Sequence, residues 1–225
     1  ALHVGALVRH ADLLRSVDVR TGWPLLAEAT AHVAHMAIRN RGTVCGSICH
    51  NDPAAEQPSL LLTLDGTVKI ASAAGRRELP AGDFLTGLMS TALEPGEMVI
   101  GVSYPRPADG TSVGFAEFAR RLGDFAIAGA AATLRVRDGK CEDARITIVG
   151  MGHGPYRAIK SENLLRAREF GGEDAARAIA DAAAAVVADV DPADDVHATA
   201  AYRRHLAGVM ATRALESAAT RSAGG

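Results

Sequence analysis

Between Arg39 and Glu56 the chain concentrates small residues, hydroxyls and acids. Gly42 and Gly46 let the backbone turn and let a ligand approach closely. Thr43 and Ser47 add hydroxyl donors, and the N–H groups of such a turn, with Val44 and Cys45 in it, form a nest for phosphate oxygens. Asp52 and Glu56 follow, and carboxylates accept hydrogen bonds from sugar hydroxyls. Donors for a pyrophosphate and acceptors for a ribose or ribityl chain are what a dinucleotide such as FAD requires. The same pattern also suits a plain glycine-rich turn between a helix and a strand. A second dense cluster, Arg120-Arg121-Leu122-Gly123-Asp124-Phe125-Ala126, joins two cations, a glycine, an acid and an aromatic ring. Here Phe125 is expected to lie against a flat ring, with Asp124 fixing the loop; a polar loop between two strands is the alternative.

Other chemistries fare worse. Cys45, Cys49, His50 and Asp52 are all metal-ligand types, but no second cluster completes a four-ligand set, and Cys141 and His153 stand alone in sequence. Ser47 and Ser161 lack the flanking residues of a nucleophile elbow.

The elements that position these clusters follow from periodicity. A strand is expected over Leu2–Leu7 and a short helix over Ala11–Arg15. Pro24 opens a helix to about 37, on the spacing of Leu25, Leu26, Ala29, Val33 and Met36. The glycine-rich turn comes next, and Pro53 starts a helix to about Leu61. Two strands lie around Gly75, Asp83–Leu85 is a turn or short helix, and Met98–Val102 is a strand ended by Pro105 and Pro107. That proline pair with Gly110 reads as a linker. Beyond it, Val113–Arg120, Ile127–Val136 and Ala144–Val149 read as strands, with Asp138-Gly139 as a hairpin turn. Helices are expected at 158–167, 173–188 and 199–219, with Ser222–Gly225 fraying. Three strands followed by three helices make an α+β layout, divided into units at 1–108 and 112–220.

The bulk properties agree with a packed globular chain. Of 225 residues, 48% are hydrophobic and 22% charged, and the formal net charge of −2 includes no basic patch interleaved with aromatics, which argues against nucleic acid. No apolar run reaches membrane-spanning length and no signal sequence is evident. With three cysteines the expected setting is reducing and cytoplasmic. Because the chain opens on Ala1 and enters directly on a strand, an N-terminal truncation is expected.

The run Ile38–Ser47, with His50 and Asp52-Pro53-Ala54-Ala55-Glu56, resembles the FAD-binding medium subunit of the molybdenum hydroxylases, the carbon monoxide and xanthine dehydrogenase type. Further segments match in order: Leu79–Phe84, Leu93–Glu97, Arg120–Ala126, Gly154–Ala158, Tyr202-Arg203-Arg204 and Arg213-Ala214-Leu215. The resemblance implies the second subdomain of a vanillyl-alcohol-oxidase-type FAD-binding domain, then a small C-terminal domain of a three-stranded antiparallel sheet with helices. It implies an electron-transfer oxidoreductase subunit that receives electrons from iron–sulfur clusters and passes them through FAD to an external acceptor. Its implied partners are a molybdopterin-binding large subunit and a [2Fe-2S] small subunit, in a hetero-oligomer. The alternative is a docking subunit of such a complex that no longer binds FAD. By the same resemblance Thr43, Val44, Cys45, Gly46 and Ser47 would wrap the pyrophosphate and flavin edge. Asp52 or Glu56 would bind FAD hydroxyls, Val99 would pack near the isoalloxazine, and Asp124 and Phe125 would stand at its face. Three departures stand out. The family's other glycine-rich loop is missing from this sequence. Cys45 replaces a glycine and is expected to bring a thiol near the ligand. Phe125 replaces a tyrosine.

Overall fold

The computed structural model describes residues 1–223. Strand β1 (Leu2–Gly5) leads into short helices α1 (His10–Arg15), α2 (Val17–Gly22), α3 (Pro24–Thr30) and α4 (Met36–Arg39). Pro24 occupies the first turn of α3, but the helix stops at Thr30 rather than near 37. The reason is Arg39, which donates to the Val33 and Ala34 carbonyls at 2.8 and 2.6 Å. Those carbonyls are thereby held in a turn, in which Ala34 adopts a left-handed φ of 43°.

The glycine-rich run is not a loop. Thr43 is the N-cap of helix α5 (Val44–His50), its Oγ1 accepting from Gly46 N at 3.0 Å. Helix α6 (Glu56–Thr63) begins three residues after Pro53, because Asp52 Oδ1 accepts from Ala54 N at 2.8 Å and holds an intervening turn. Then come β2 (Thr67–Ser72), β3 (Gly75–Pro80), α7 (Ala81–Phe84), the small hairpin β4 (Leu85–Gly87) and β5 (Ser90–Thr91), and β6 (Met98–Tyr104). The first antiparallel sheet runs β1-β6-β2-β3. Its core gathers Leu25, Leu26, Ile48, Leu60, Phe84 and Tyr104.

Past the Pro105–Gly110 segment lie β7 (Thr111–Phe118), β8 (Ala128–Arg137), β9 (Lys140–Val149) and the two-residue β10 (Tyr156–Arg157), then α8 (Ile159–Leu165), α9 (Gly172–Asp189) and α10 (Ala200–Ala223). The second sheet is antiparallel, in the order β10-β9-β8-β7, so β10 adds a short fourth strand to the three expected. Asp138 and Gly139 take left-handed φ values of 50° and 75° at the β8–β9 turn, as a tight hairpin demands. Ser222 and Ala223 belong to α10, while Gly224 and Gly225 lie outside the described residues.

The two faces of this sheet do different work. Ala130, Ala132, Leu134, Ala144, Ile146 and Ile148 face α9 and α10. The alternate residues Val113, Phe115 and Ala131 join the core of the first half. The second sheet is therefore clamped between its own helices and the α3–α6 side of the chain. No helix among the described residues is long and apolar enough to cross a membrane.

Candidate functional site

One end of that seam collects most of the chemistry-bearing residues. At the start of α5, Val44 N donates to Val8 O at 3.0 Å and Ser47 N to Thr43 O at 3.1 Å, so Val44 and Thr43 are fixed in place. Gly46 is exposed; a Cβ there would meet Thr43 Oγ1 at 2.7 Å, so glycine keeps both the cap and the open surface. Ser47 is half-buried beside it, and its hydroxyl bonds no other described residue.

Cys45 behaves differently from the expectation of a thiol near the ligand. It is buried at 3% exposure, with Sγ directed at the Val4 and Gly5 carbonyls beneath β1. Burial pushes the thiol up to about 12. A helical backbone at this position accepts a Cβ without strain, and the side chain serves as a small hydrophobe. Val99 likewise faces the interior of the first sheet at 5% exposure, rather than an open surface.

Asn51, which ends α5 in a left-handed conformation, was not singled out by spacing. Fully buried, its Nδ2 donates to the Gly87 and Ser90 carbonyls at 2.9 and 2.8 Å, tying the β4–β5 hairpin to α5. Asn51→Ala is expected to cost about 2 kcal/mol, since it strands two carbonyls and loses a residue suited to that φ. Hydrogen exchange at 86–91 reads it; unchanged protection there would show the hairpin to be held by other means.

Two buried carboxyl groups, Glu56 on α6 and Glu117 on β7, lie close enough to act on each other, with Asp52 near Glu56. Glu56 lies in the first turn of α6 at 5% exposure; burial first, then Asp52, push it up to about 7 against the opposing pull of its own N–H and Arg39. Glu117, on β7, has Oε2 buried without a partner, and burial, then Glu56, push it up to about 8. At neutral pH Glu117 is therefore chiefly a neutral acid, and Glu56 can donate as well as accept. A carboxyl whose folded value is raised favours folding below its unfolded value near 4.5 and loses that benefit as pH rises through about 8. Glu117→Gln removes the titration while keeping the shape. The variant is expected to match the parent near pH 4.5 and to exceed it by about 2 kcal/mol at pH 9. Thermal melts across that range decide it; parallel curves would mean that Glu117 does not titrate in this way.

The β7–β8 loop carrying Asp124 and Phe125 comes over this region. Asp124 is exposed, and Phe125 stands 62% exposed. Gly123 has a φ of 86°, and a Cβ there would lie 2.6 Å from the His35 ring and 2.9 Å from Ala34 O. The loop thus rests on the turn that Arg39 holds, one short helix upstream of Thr43. Its base is pinned by Arg203, which donates to Ile127 O at 2.7 Å and Gly150 O at 3.3 Å. Gly150 N in turn donates to Pro53 O at 2.8 Å, next to Asp52. Among the described residues, no group of three or more His, Cys, Asp or Glu side chains converges as a metal site.

Comparison with known proteins shows the family. The family model for the FAD binding domain in molybdopterin dehydrogenase matches residues 1–107, and the one for the CO dehydrogenase flavoprotein C-terminal domain matches residues 114–218. The chain belongs to the flavoprotein family of the molybdopterin dehydrogenases. It is 40% identical over 220 residues to the 6-hydroxypseudooxynicotine dehydrogenase complex subunit alpha of Paenarthrobacter nicotinovorans, covering 97% of this chain and 73% of that one. It is 34% identical to the carbon monoxide dehydrogenase medium chain of Hydrogenophaga pseudoflava, covering 98% and 75%. The solved quinoline 2-oxidoreductase from Pseudomonas putida 86 superposes with a TM-score of 0.92 at 37% identity, over 98% of this chain and 75% of that one. The chain is thus a flavoprotein of the dehydrogenase type, and it spans about three quarters of each of these relatives.

The residues present suit the family's FAD. Gly46 is exposed, and the Ser47 hydroxyl is free to donate beside it. The buried, unpartnered Glu117 oxygen adds polar capacity behind Glu56. Exposed Phe125 offers a ring face.

Proposed function

We propose that this flavoprotein is the electron-transfer subunit of a molybdenum hydroxylase. In this reading a molybdopterin-binding large subunit oxidises the substrate, and a [2Fe-2S] small subunit relays electrons to the chain described here. The division of labour falls within two units, residues 1–108 and 112–220. FAD, when bound, supplies the change from one-electron delivery to two-electron release toward an external acceptor. The protein's own residues hold and orient. Thr43, Val44, Cys45, Gly46 and Ser47 line the pyrophosphate side; the N–H groups of Val44, Gly46 and Ser47 are spent on Val8 O, Thr43 Oγ1 and Thr43 O, so the Ser47 hydroxyl and the Cys45 N–H are the donors offered there. Asp52 or Glu56 accepts from hydroxyls, Glu56 also being able to donate. Phe125 lies against the ring system, Asp124 shapes its loop, and Val99 supports the sheet beneath. The observation that carries this reading is the seating of the Gly123 loop on the Ala34–His35 turn, which brings the second cluster to the segment leading into Thr43.

Flavin content of the purified protein tests it. Yellow protein retaining FAD through gel filtration, with Phe125→Ala and Ser47→Ala each lowering retention about tenfold, is the expected result. Full retention in both variants would remove these residues from the site. A protein that refuses FAD even beside its partner subunits would leave a docking role instead.

A further inference from the structure

At the opposite end of the seam lies a second cleft, of about 430 Å³, between the end of α6, the Pro105–Ala108 segment and the second sheet. Six residues separate its Arg135 from Gly129, which pairs with Glu117, so the cleft sits roughly 20 Å along β8 from the carboxyl cluster. The strand register explains its lining. Thr111 pairs with Arg135 and Arg135 with Asp143, while Thr133 pairs with Arg145 in the next row, so these side chains share one face.

The acceptors in this cleft are already engaged. Asp65 is bound by both Arg145 and Arg157, and Asp143 by Arg145 and Arg166. The donors are not. Arg106 lines the cleft and forms no ion pair or hydrogen bond with another described residue. Arg135 Nε lies 3.1 Å from Glu142 Oε2, but its N–H is not aimed there and remains a buried donor without a partner. The Thr111 and Thr133 hydroxyls bond no described residue either. Arg106 is also restrained: prolines flank it on both sides, and the Trp23 ring N–H donates to Pro105 O at 2.8 Å. A cleft whose acceptors are spent, and which keeps an unpaired arginine on stiffened backbone beside two unbonded hydroxyls, recognises negative charge.

We infer that this cleft binds an oxyanion, the phosphoryl or carboxylate group of a small ligand, on Arg106, Thr111, Thr133 and Arg135. Such a ligand would bridge the two halves of the chain at a place separate from the flavin region.

Titration of the whole chain with sodium phosphate and with sodium acetate, against sodium chloride at equal ionic strength, tests this by ¹H–¹⁵N NMR. Saturable shifts at Thr111, Thr133 and the Arg106 and Arg135 side chains are expected with phosphate or acetate, and which of the two saturates first tells phosphoryl from carboxylate. Arg106→Ala, an exposed position that leaves the core untouched, is expected to weaken the response at least about tenfold, and Thr133→Val, which preserves volume, by several-fold. Shifts that chloride reproduces, shifts spread over the whole surface, or a response unchanged in Arg106→Ala would each overturn the inference. A melting curve for each variant separates lost binding from lost folding.

Discussion

Gly114→Ala is expected to unseat helix α10 and to lower stability by more than about 3 kcal/mol. Gly114 sits on β7 where the helix crosses closest. A Cβ there would overlap the Ala214 carbonyl oxygen and lie 3.0 Å from both Ala218 N and Ser217 Cβ. These are mostly backbone atoms of a helix, so no side-chain rotation relieves the overlap. The whole approach is built of small residues: Ala130 and Ala132 on the sheet against Ala207, Ala211, Ala214 and Ala218 on α10, all buried. A helix seated this closely can respond only by sliding outward, which opens gaps along its length. For a chain of this size each kcal/mol lowers the melting temperature by roughly 2–4 °C, so a drop on the order of 10 °C is expected. Gly5→Ala is the control, since nothing lies within 4 Å of its Cβ position. Equal melting temperatures for the two variants would sink the close-approach argument.

That alanine-rich composition was legible in the sequence, and so was much of the frame it builds. Helix α10 followed from the helical spacing read over 199–219, and the β8–β9 hairpin from Asp138-Gly139, because both signals are local. What escaped was decided by partners remote in sequence, or by a competing local reading. Gly42 and Gly46 argued for a loop, yet Thr43 caps a helix across them, and one side-chain bond to Gly46 N outweighs the cost of a helical glycine. The helix from Pro24 was read too long because its apolar spacing continues through Val33 and Met36. Nothing in that spacing reveals that Arg39 will claim the Val33 and Ala34 carbonyls. Cys45 was read from the glycine it replaces, and only the fold shows its thiol turned under β1. The candidate site was legible as two clusters, around Thr43 and Phe125. Their junction was not, because it depends on the space that Gly123 leaves for His35.

Arg203 carries the other large expected effect, and it links stability to the flavin region. The residue is 8% exposed, and its guanidinium reaches Ile127 O, Gly150 O and Asp195 Oδ2, the last at 2.5 Å. Asp195 is held well below the usual carboxylate range, first by this hydrogen bond. Arg203→Met fills similar space but leaves two carbonyls and a carboxylate without their donor. Each stranded carbonyl costs about 1–2 kcal/mol, for a total near 3 kcal/mol. The consequence is not confined to stability. Ile127 closes the loop that bears Asp124 and Phe125, its N–H donating to Phe118 O at 2.8 Å, and Gly150 fastens the Pro53 turn beside Asp52. Loss of Arg203 should therefore loosen both walls of the site together. Trypsin is expected to cut at Arg120 and Arg121 faster in the variant, and FAD retention to fall at temperatures where the protein remains folded. Arg203→Lys should recover part of the stability, since an ammonium reaches one carbonyl or the carboxylate but lacks the planar fork that spans all three. If cleavage at the loop stayed at the parent rate while melting temperature fell, Arg203 would be a brace for α10 alone. The Phe125 loop would then owe its position to Gly123 and the Ala34–His35 turn.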